Sequence, residues 1–403
     1  MDYLLFDADN HYYEPDDCFT RHGDESVKRF VRWVHEGKRR HLMFGDRQVT
    51  GPGAVNAVPN PTFNPIAKPG AFHEALKAFE TGTANAKGSS AAHRYGELEP
   101  LTPIYQQRQE RIAAMDDQGV ERILIFPTLG LTVEGFLTPR PDLMYKVLHS
   151  FNVWLDEDWG VNRDGRIYAP PVVSMLDVDG AVSELEWALS RGAKAISIQP
   201  GPAYGRSPAD TYFDPFWARV NEAGVLVAYH ALGGASLYDT TFNQMFGQTN
   251  DPVYLETFRR VHNSFERPMM DTAEALILGN LFGRFPNVRA ASIEMGSTWV
   301  PYLLHAIDHS GPLLTRRVEA FGSVLKDRPS EVFKERFWVS PFPEEDVVGL
   351  VDLLGADHVL MGSDWPHPEG TTTPAAYAEC LQGLDDGRIR RVMRDNAMEL
   401  IAA

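Results

Sequence analysis

Cysteine is almost absent. The chain has two, Cys18 and Cys380, far apart and in no CxxC pair, so a disulfide scaffold and a Cys-rich zinc site are both excluded. Long apolar runs are missing as well. No segment approaches the ~18 uninterrupted apolar residues of a membrane span, and the opening Met1-Asp2-Tyr3-Leu4-Leu5-Phe6-Asp7 has no basic region leading into an apolar one. Positive charge is scarce. The 38 Lys and Arg face 55 Asp and Glu, the formal net charge is −17, and no basic stripe occurs, which argues against nucleic acid and an anionic membrane as partners. No Gly-rich GxGxxG turn follows the first apolar run, which removes the signature of an open dinucleotide-binding sheet. These absences lead us to expect a cytoplasmic protein whose partner is a small molecule, with a homodimer as the default assembly.

What is present is ample core material and a repeating pattern. The 403 residues are 43% hydrophobic, with 22 Phe, 14 Tyr and 8 Trp. Short runs that are apolar on both faces recur at Leu4–His11, Arg122–Pro127, Tyr168–Met175, Ala193–Gln199, Val225–His230, Val288–Glu294, Arg336–Ser340 and His358–Asp364. Such runs read as buried parallel strands. Helical spacing fills Gln106–Asp117, Asp142–Trp159, Val178–Arg191, Asp214–Glu222, Ala273–Phe285, Trp299–Phe321 and Asp346–Leu354, and two further segments, Pro374–Leu384 and Asp386–Ile401, close the chain. About eight strand–helix units predict an α/β fold, a distorted (β/α)8 TIM barrel forming a single domain over residues 1–403. Two insertions interrupt it, residues 12–100 after the first strand and 231–265 after the fifth. Both leave the carboxyl ends of strands, where barrel enzymes build their sites, and are expected to act as lids or walls. Within the first, His41–Thr50 around Gly45-Asp46 reads as a β-hairpin, and Gly51–Gly70 reads as irregular loop.

The strand ends carry the chemistry. The first run ends Phe6-Asp7-Ala8-Asp9-Asn10-His11. Residues two apart on an extended chain share a face, so Asp7, Asp9 and His11 are expected to point together. The fifth run ends in His230, the sixth in Glu294, and the eighth in Gly362-Ser363-Asp364-Trp365-Pro366-His367. Asp9, His11, His230 and Asp364 supply two imidazoles and two carboxylates from one end of the predicted barrel. That donor set suits one divalent metal ion, Zn2+ in the first instance or Mn2+. A buried group of carboxylates is costly without such an ion.

These residues carry a resemblance. Asp7-Ala8-Asp9-Asn10-His11, Asp116-Asp117-Gln118-Gly119-Val120, Phe213-Asp214-Pro215-Phe216-Trp217, Val227-Ala228-Tyr229-His230, Phe285-Pro286-Asn287-Val288, Glu294-Met295-Gly296-Ser297-Thr298-Trp299-Val300-Pro301 and Gly362-Ser363-Asp364-Trp365-Pro366-His367-Pro368 resemble the amidohydrolase superfamily, in the branch of aminocarboxymuconate-semialdehyde decarboxylase. The resemblance implies a distorted barrel with one catalytic metal. Asp9 takes the place of the first His of the family's His-x-His, an exchange some relatives in the branch share, and His11 takes the second. His230 and Asp364 match the fifth-strand His and eighth-strand Asp, whereas Glu294 stands where many relatives have a His. Lys194 begins its run and Gln199 ends it, so no lysine is placed to bridge two metals.

Two reactions share these residues. In metal-assisted hydrolysis, Asp364 takes a proton from water and returns it to the leaving group, with Glu294 orienting water or acting as an acid. In non-oxidative decarboxylation, Asp364 protonates the carbon that loses CO2. Hydrolysis is the first expectation, decarboxylation of an aromatic or enoic acid the second, and a catalytically inactive binding barrel the third. His367 is a further catalytic candidate. Arg267, Trp365 and Glu14 are substrate-binding candidates, as is Arg206, because a guanidinium matches a carboxylate bidentately. Tyr12 and Tyr13 could wall an aromatic substrate.

Overall fold

The computed structural model describes residues 2–36, 39–49, 66–71, 97–231, 266–314 and 327–402. Residues 51–65 of the expected irregular loop and 232–265 of the second insertion lie outside them. Two compact units emerge, one from the described residues of Met1–Ala169 and Gly362–Glu379, the other from those of Pro170–Leu232, Ser236–Met361 and Cys380–Ala403.

The first unit begins with β1 (Leu5–Tyr12), buried along its whole length. Helix α1 (Glu25–Phe30) follows, started by Asp24, whose carboxylate accepts from the amides of Ser26 and Val27. Strands β2 (Val31–Glu36), β3 (Arg39–Phe44) and β4 (Arg47–Gln48) form an antiparallel sheet. Met43 pairs with Gln48 and Phe44 with Arg47, so the hairpin about Gly45-Asp46 is present, with Gly45 at φ 60° supplying the turn. The short strands β5 (Ile66–Ala67) and β6 (Leu98–Glu99) pair antiparallel. Helix α2 (Arg108–Asp117) leads into β7 (Val120–Pro127), α3 (Val133–Leu137) and α4 (Pro141–Asp158), and β8 (Ile167–Tyr168) ends the series. β1, β7 and β8 form a parallel sheet. Phe19 stacks on Phe151 of α4 at 5.2 Å, and Phe44 stacks on Phe136 of α3 at 5.8 Å, which fastens the hairpin sheet to these helices.

The second unit holds a five-stranded parallel sheet of β9 (Val172–Val173), β10 (Ala195–Ile198), β11 (Leu226–His230), β12 (Arg289–Ile293) and β13 (Phe337–Val339), with sequence neighbours adjacent. Helices α5 (Val178–Ser190), α6 (Asp214–Ala223), α7 (Glu266–Leu278), α8 (Leu281–Arg284), α9 (Trp299–Leu314), α10 (Pro329–Arg336), α11 (Val347–Leu354), α12 (Asp386–Arg390) and α13 (Asn396–Ala402) complete it. Their ends follow local chemistry. Asp177 and Asp346 cap α5 and α11 by accepting from Gly180 and Gly349. Pro215 sits in the first turn of α6, and Gly224 ends that helix in the left-handed region at φ 62°. Trp217, Phe333 and Phe337 are fully or almost fully buried. No helix of the described residues is long and apolar enough to cross a membrane.

Two expected strands differ in form. The run Tyr168–Met175 is cut by Pro170 and Pro171, which have no amide proton for a ladder. Ile167–Tyr168 accordingly pairs with β7, while Val172–Val173 pairs with β10. The run His358–Asp364 forms only isolated parallel bridges, Val359 with Val339 and, just beyond it, Trp365 with Asn10. Its alternate amides are drawn elsewhere, Met361 donating to the carbonyl of Val392 and Ser363 to the carboxylate of Asp7. The helix expected at Ala273–Phe285 starts earlier and breaks at Asn280, which is left-handed at φ 51°. The last helix contains a π segment over Arg391–Asp395.

The eighth run depends on a side chain for its anchorage. Asn396, at the start of α13, donates to the carbonyls of Ala356 at 2.6 Å and Val359 at 2.7 Å. Replacing Asn396 with Ala leaves these acceptors without their donor, and is expected to lower stability by about 1–3 kcal/mol. Urea denaturation of the two proteins measures it.

Candidate metal centre

The end of β1 is not a regular strand. Asp7 pairs with Ile123 of β7, but the next pair is Asn10 with Ile125, a register shift that breaks the simple alternation. Asp7 is therefore separated from Asp9 and His11. Its carboxylate accepts from Ser363 N at 2.9 Å, Ser363 Oγ at 2.5 Å, Asn10 Nδ2 at 2.8 Å and Asp9 N at 3.2 Å. Burial pushes the Asp7 carboxyl up to about 7, against the pull of these donors.

Asp9 and His11 meet as the sequence suggested. His11 Nε2 lies 3.3 Å from Asp9 Oδ1 and 3.3 Å from Asp364 Oδ1, and all three residues are buried. Backbone bonds fix the partners, with Asp364 N donating to the Asp9 carbonyl and His11 N to that of Trp365, both at 2.8 Å. Asp364 holds the left-handed φ of 53°, a strained conformation for a residue with a Cβ that persists where surroundings enforce it. Donor atoms bound to one first-row ion at about 2.0–2.2 Å are separated by about 3.0–3.5 Å. The two 3.3 Å separations match such an edge, so the donor set fits a divalent cation.

His367 completes this cluster. Its ligand atom and those of His11 and Asp364 all lie within 4.8 Å of one another, and its ring stacks on His11 at 4.0 Å. Its proton positions follow from its neighbours. The Thr128 hydroxyl gives its single proton to the Tyr12 carbonyl at 2.7 Å, so at 2.9 Å its oxygen must accept from His367 Nε2–H. His367 Nδ1 then faces Asp364 Oδ1 at 2.8 Å. Two lone pairs do not rest against each other at that distance, so the contact calls for a proton between the imidazole and the carboxyl.

The second unit carries a similar arrangement. His230, at the end of β11, sets Nδ1 3.2 Å from the Ala231 carbonyl, which can only accept. Nδ1 therefore holds the proton, and Nε2 turns its lone pair toward Glu294 Oε2 at 3.4 Å. A lone pair and a carboxylate at that spacing call for a cation or a proton between them. Fixing a ligand imidazole through a backbone carbonyl is common at metal sites. Glu294, like Asp364, is left-handed, at φ 53°.

The remaining candidates take other places. Glu14 is buried and accepts from the amides of Leu129 at 2.8 Å and Gly130 at 2.9 Å. Trp365 is buried beneath the Arg111 guanidinium, 4.7 Å from its ring centre. Arg267 is exposed and lies 3.7 Å from Asp271, and Arg206 lies over Tyr212 at 4.3 Å, 3.8 Å from Asp210. Tyr12 is buried against Trp159 and Trp154. Sequence reasoning missed Thr128, one residue past β7, and Arg111, which is fully buried on α2. An arginine at Arg111 on the inward stripe of an otherwise amphipathic helix was the available signal for the latter.

Burial pushes the Glu14 carboxyl up to about 7 against its two amide donors. The unfolded group ionises near 4.5, so between those values the folded state binds the extra proton and stability falls as pH rises. Glu14→Gln keeps the accepting oxygen and removes the titration. Relative to wild type, the metal-free variant is expected to gain roughly 2–3 kcal/mol between pH 4 and pH 8, read from urea midpoints across that range. A constant difference over the window would contradict it.

Comparison with known proteins agrees with the geometry. The family described as Amidohydrolase matches residues 58–402. A crystal structure of an amidohydrolase from Mycobacterium avium subsp. paratuberculosis K-10 is 36% identical, with a TM-score of 0.86, over 100% of both chains. A 2-amino-3-carboxymuconate-6-semialdehyde decarboxylase from Dictyostelium discoideum is 26% identical over 129 residues, which is 32% of this chain and 34% of that protein. The fold is shared with a dihydroxybenzoic acid decarboxylase from Polaromonas sp. JS666 that was crystallised with manganese, at 16% identity and a TM-score of 0.54 over 82% of this chain and 93% of the other. The chain belongs to the amidohydrolase superfamily.

Proposed function

We propose that this enzyme is a metal-dependent, non-oxidative decarboxylase of a small aromatic or enoic carboxylic acid, built on a closed (β/α)8 barrel and acting in the cytoplasm. The observation that carries the reading is the 2.8 Å contact between His367 Nδ1 and Asp364 Oδ1, which calls for a proton because Thr128 accepts from the other ring nitrogen. Decarboxylation needs an acid at the start of the reaction, whereas hydrolysis needs a base that can take a proton from water. The Dictyostelium relative and the decarboxylases that share the fold also favour this second sequence expectation over the first.

Asp9, His11 and Asp364 would hold the ion. His230 joins them on the sequence pattern and on its carbonyl-fixed tautomer. The carboxylate-rich set and the manganese in a structure of the same fold bring Mn2+ level with Zn2+. When bound, the cation supplies positive charge for the substrate carboxylate and an adjacent oxygen. The residues do the rest. The bond from the substrate carbon to its carboxylate breaks, and CO2 leaves without that electron pair. The carbon keeps the pair and takes the proton from the Asp364–His367 couple. Thr128 keeps His367 Nε2 protonated, so the proton on the Asp364 side is the one given up. Solvent then returns a proton to the couple.

Elemental analysis is expected to find a divalent metal in the purified protein and to find it lost from Asp9→Asn, His11→Asn and His230→Asn variants. Incubation with aromatic and enoic acids should release CO2, and chelation should stop it. Asp364→Asn and His367→Asn are expected to lower kcat by about 10²–10⁴-fold. Turnover of lactones, esters or amides with no CO2 from any acid would return the assignment to hydrolysis.

A further inference from the structure

Behind the Asp9, His11 and Asp364 oxygens and nitrogens lies a buried chain of side chains that none of the chemistry above uses. Arg111 is fully buried. Its Nε donates to the Ile104 carbonyl at 2.8 Å, and its Nη1 donates to Asn10 Oδ1. The guanidinium lies between two indoles, 4.7 Å from the Trp365 ring centre and 5.5 Å from that of Trp159. Asn10 passes the contact on, its Nδ2 donating to Asp7 Oδ2 at 2.8 Å. Asp7 takes both the amide and the hydroxyl of Ser363, and the Ser363 hydroxyl oxygen accepts from Trp365 N at 3.1 Å. The path runs from a cation, through an amide, to a carboxylate, and ends on both sides of Asp364.

This arrangement has a cost that packing alone does not explain. A buried guanidinium and a buried carboxylate each give up hydration, and an apolar pair of the same volume would serve a core as well or better. What the charged pair supplies is direction. Asn10 and Asp7 belong to the strand that carries Asp9 and His11, and Ser363 precedes Asp364, which is strained. The four side chains set the distance between these two stretches of backbone. We propose that Arg111 is a positioning residue that acts through Asn10, Asp7 and Ser363 to hold Asp364 against His11 at ligand spacing. This rests on the metal-dependent reading of the site.

Cobalt(II) tests the proposal without relying on turnover alone, because its visible bands report ligand number and geometry. The full-length protein is stripped and reloaded with Co2+ as wild type, Arg111→Met, Ser363→Ala and the double variant. Each single change is expected to alter the bands, to weaken Co2+ affinity by about 10- to 100-fold, and to lower kcat for whichever substrate turns over while KM moves less than about twofold. Arg111 and Ser363 are joined through Asn10 and Asp7, and again through Trp365, so the double variant should depart from the product of the single effects by about threefold or more. Should Arg111→Met fail to fold, Ser363→Ala decides by its bands and kcat. Wild-type bands and affinity in the variants, or strictly multiplicative losses, overturn the proposal while leaving the metal reading in place. A wild-type protein that takes up no cobalt overturns the metal reading, and this inference with it.

Discussion

Asp9 and Asp364 direct their Oδ1 atoms at the same imidazole nitrogen, each 3.3 Å from it and shielded from water. That concentration of buried negative charge is the constraint around which the first unit is arranged. A neutral imidazole has one proton for that nitrogen and two carboxylates facing it, so the arrangement is satisfied only by added positive charge. A proton in the 2.8 Å contact between His367 and Asp364 supplies part of it. A divalent cation at the His11 edge supplies the rest. The strained φ of Asp364, the exchange of backbone bonds between residues 9–11 and 364–365, and the bracing by Asp7 all keep these groups together despite their mutual repulsion.

Much of this was readable from the chain. Buried parallel strands leave continuous apolar runs, and seven of the eight runs contain ladder strands, so the alternation of strand and helix followed from hydrophobicity alone. Asp9, His11, Asp364, His230 and Glu294 stood out because polar residues at the ends of such runs have little reason to be there except chemistry. The failures have physical causes. Period-two reasoning placed Asp7 beside Asp9, but a register shift re-aims it, and a shift of that kind leaves no mark in the hydrophobic pattern. The eighth run is apolar enough for a strand, yet only some of its amides enter a ladder: Leu360 and Asp364 donate to the Val339 and Asp9 carbonyls, whereas Met361 and Ser363 serve Val392 and Asp7. Glu14, a candidate for substrate, also has a structural use that its residue type did not announce, since two backbone amides donate to one of its oxygens.

The same geometry explains why two reactions could not be separated by sequence. Hydrolysis and decarboxylation need the same ligands and differ in where a proton starts. That starting point depends on Thr128, a residue with no motif of its own, whose hydroxyl is committed to a backbone carbonyl. One ordinary hydrogen bond thus sets the polarity of an imidazole, and through it the character of the neighbouring carboxyl.

The aromatic fastening of the hairpin sheet has a consequence of its own. Phe44 of the sheet packs on Phe136 of α3 and on Phe19, which stacks on Phe151 of α4, while Asp46 and the outer strand Arg47–Gln48 are exposed. Arg47 serves both anchorage and rim, its guanidinium lying 4.9 Å from the Phe136 ring centre and donating to the Gly135 carbonyl. The outer edge thus leaves Asp46 and Gln48 as positions where a different surface can be written without loosening the grip on the two helices.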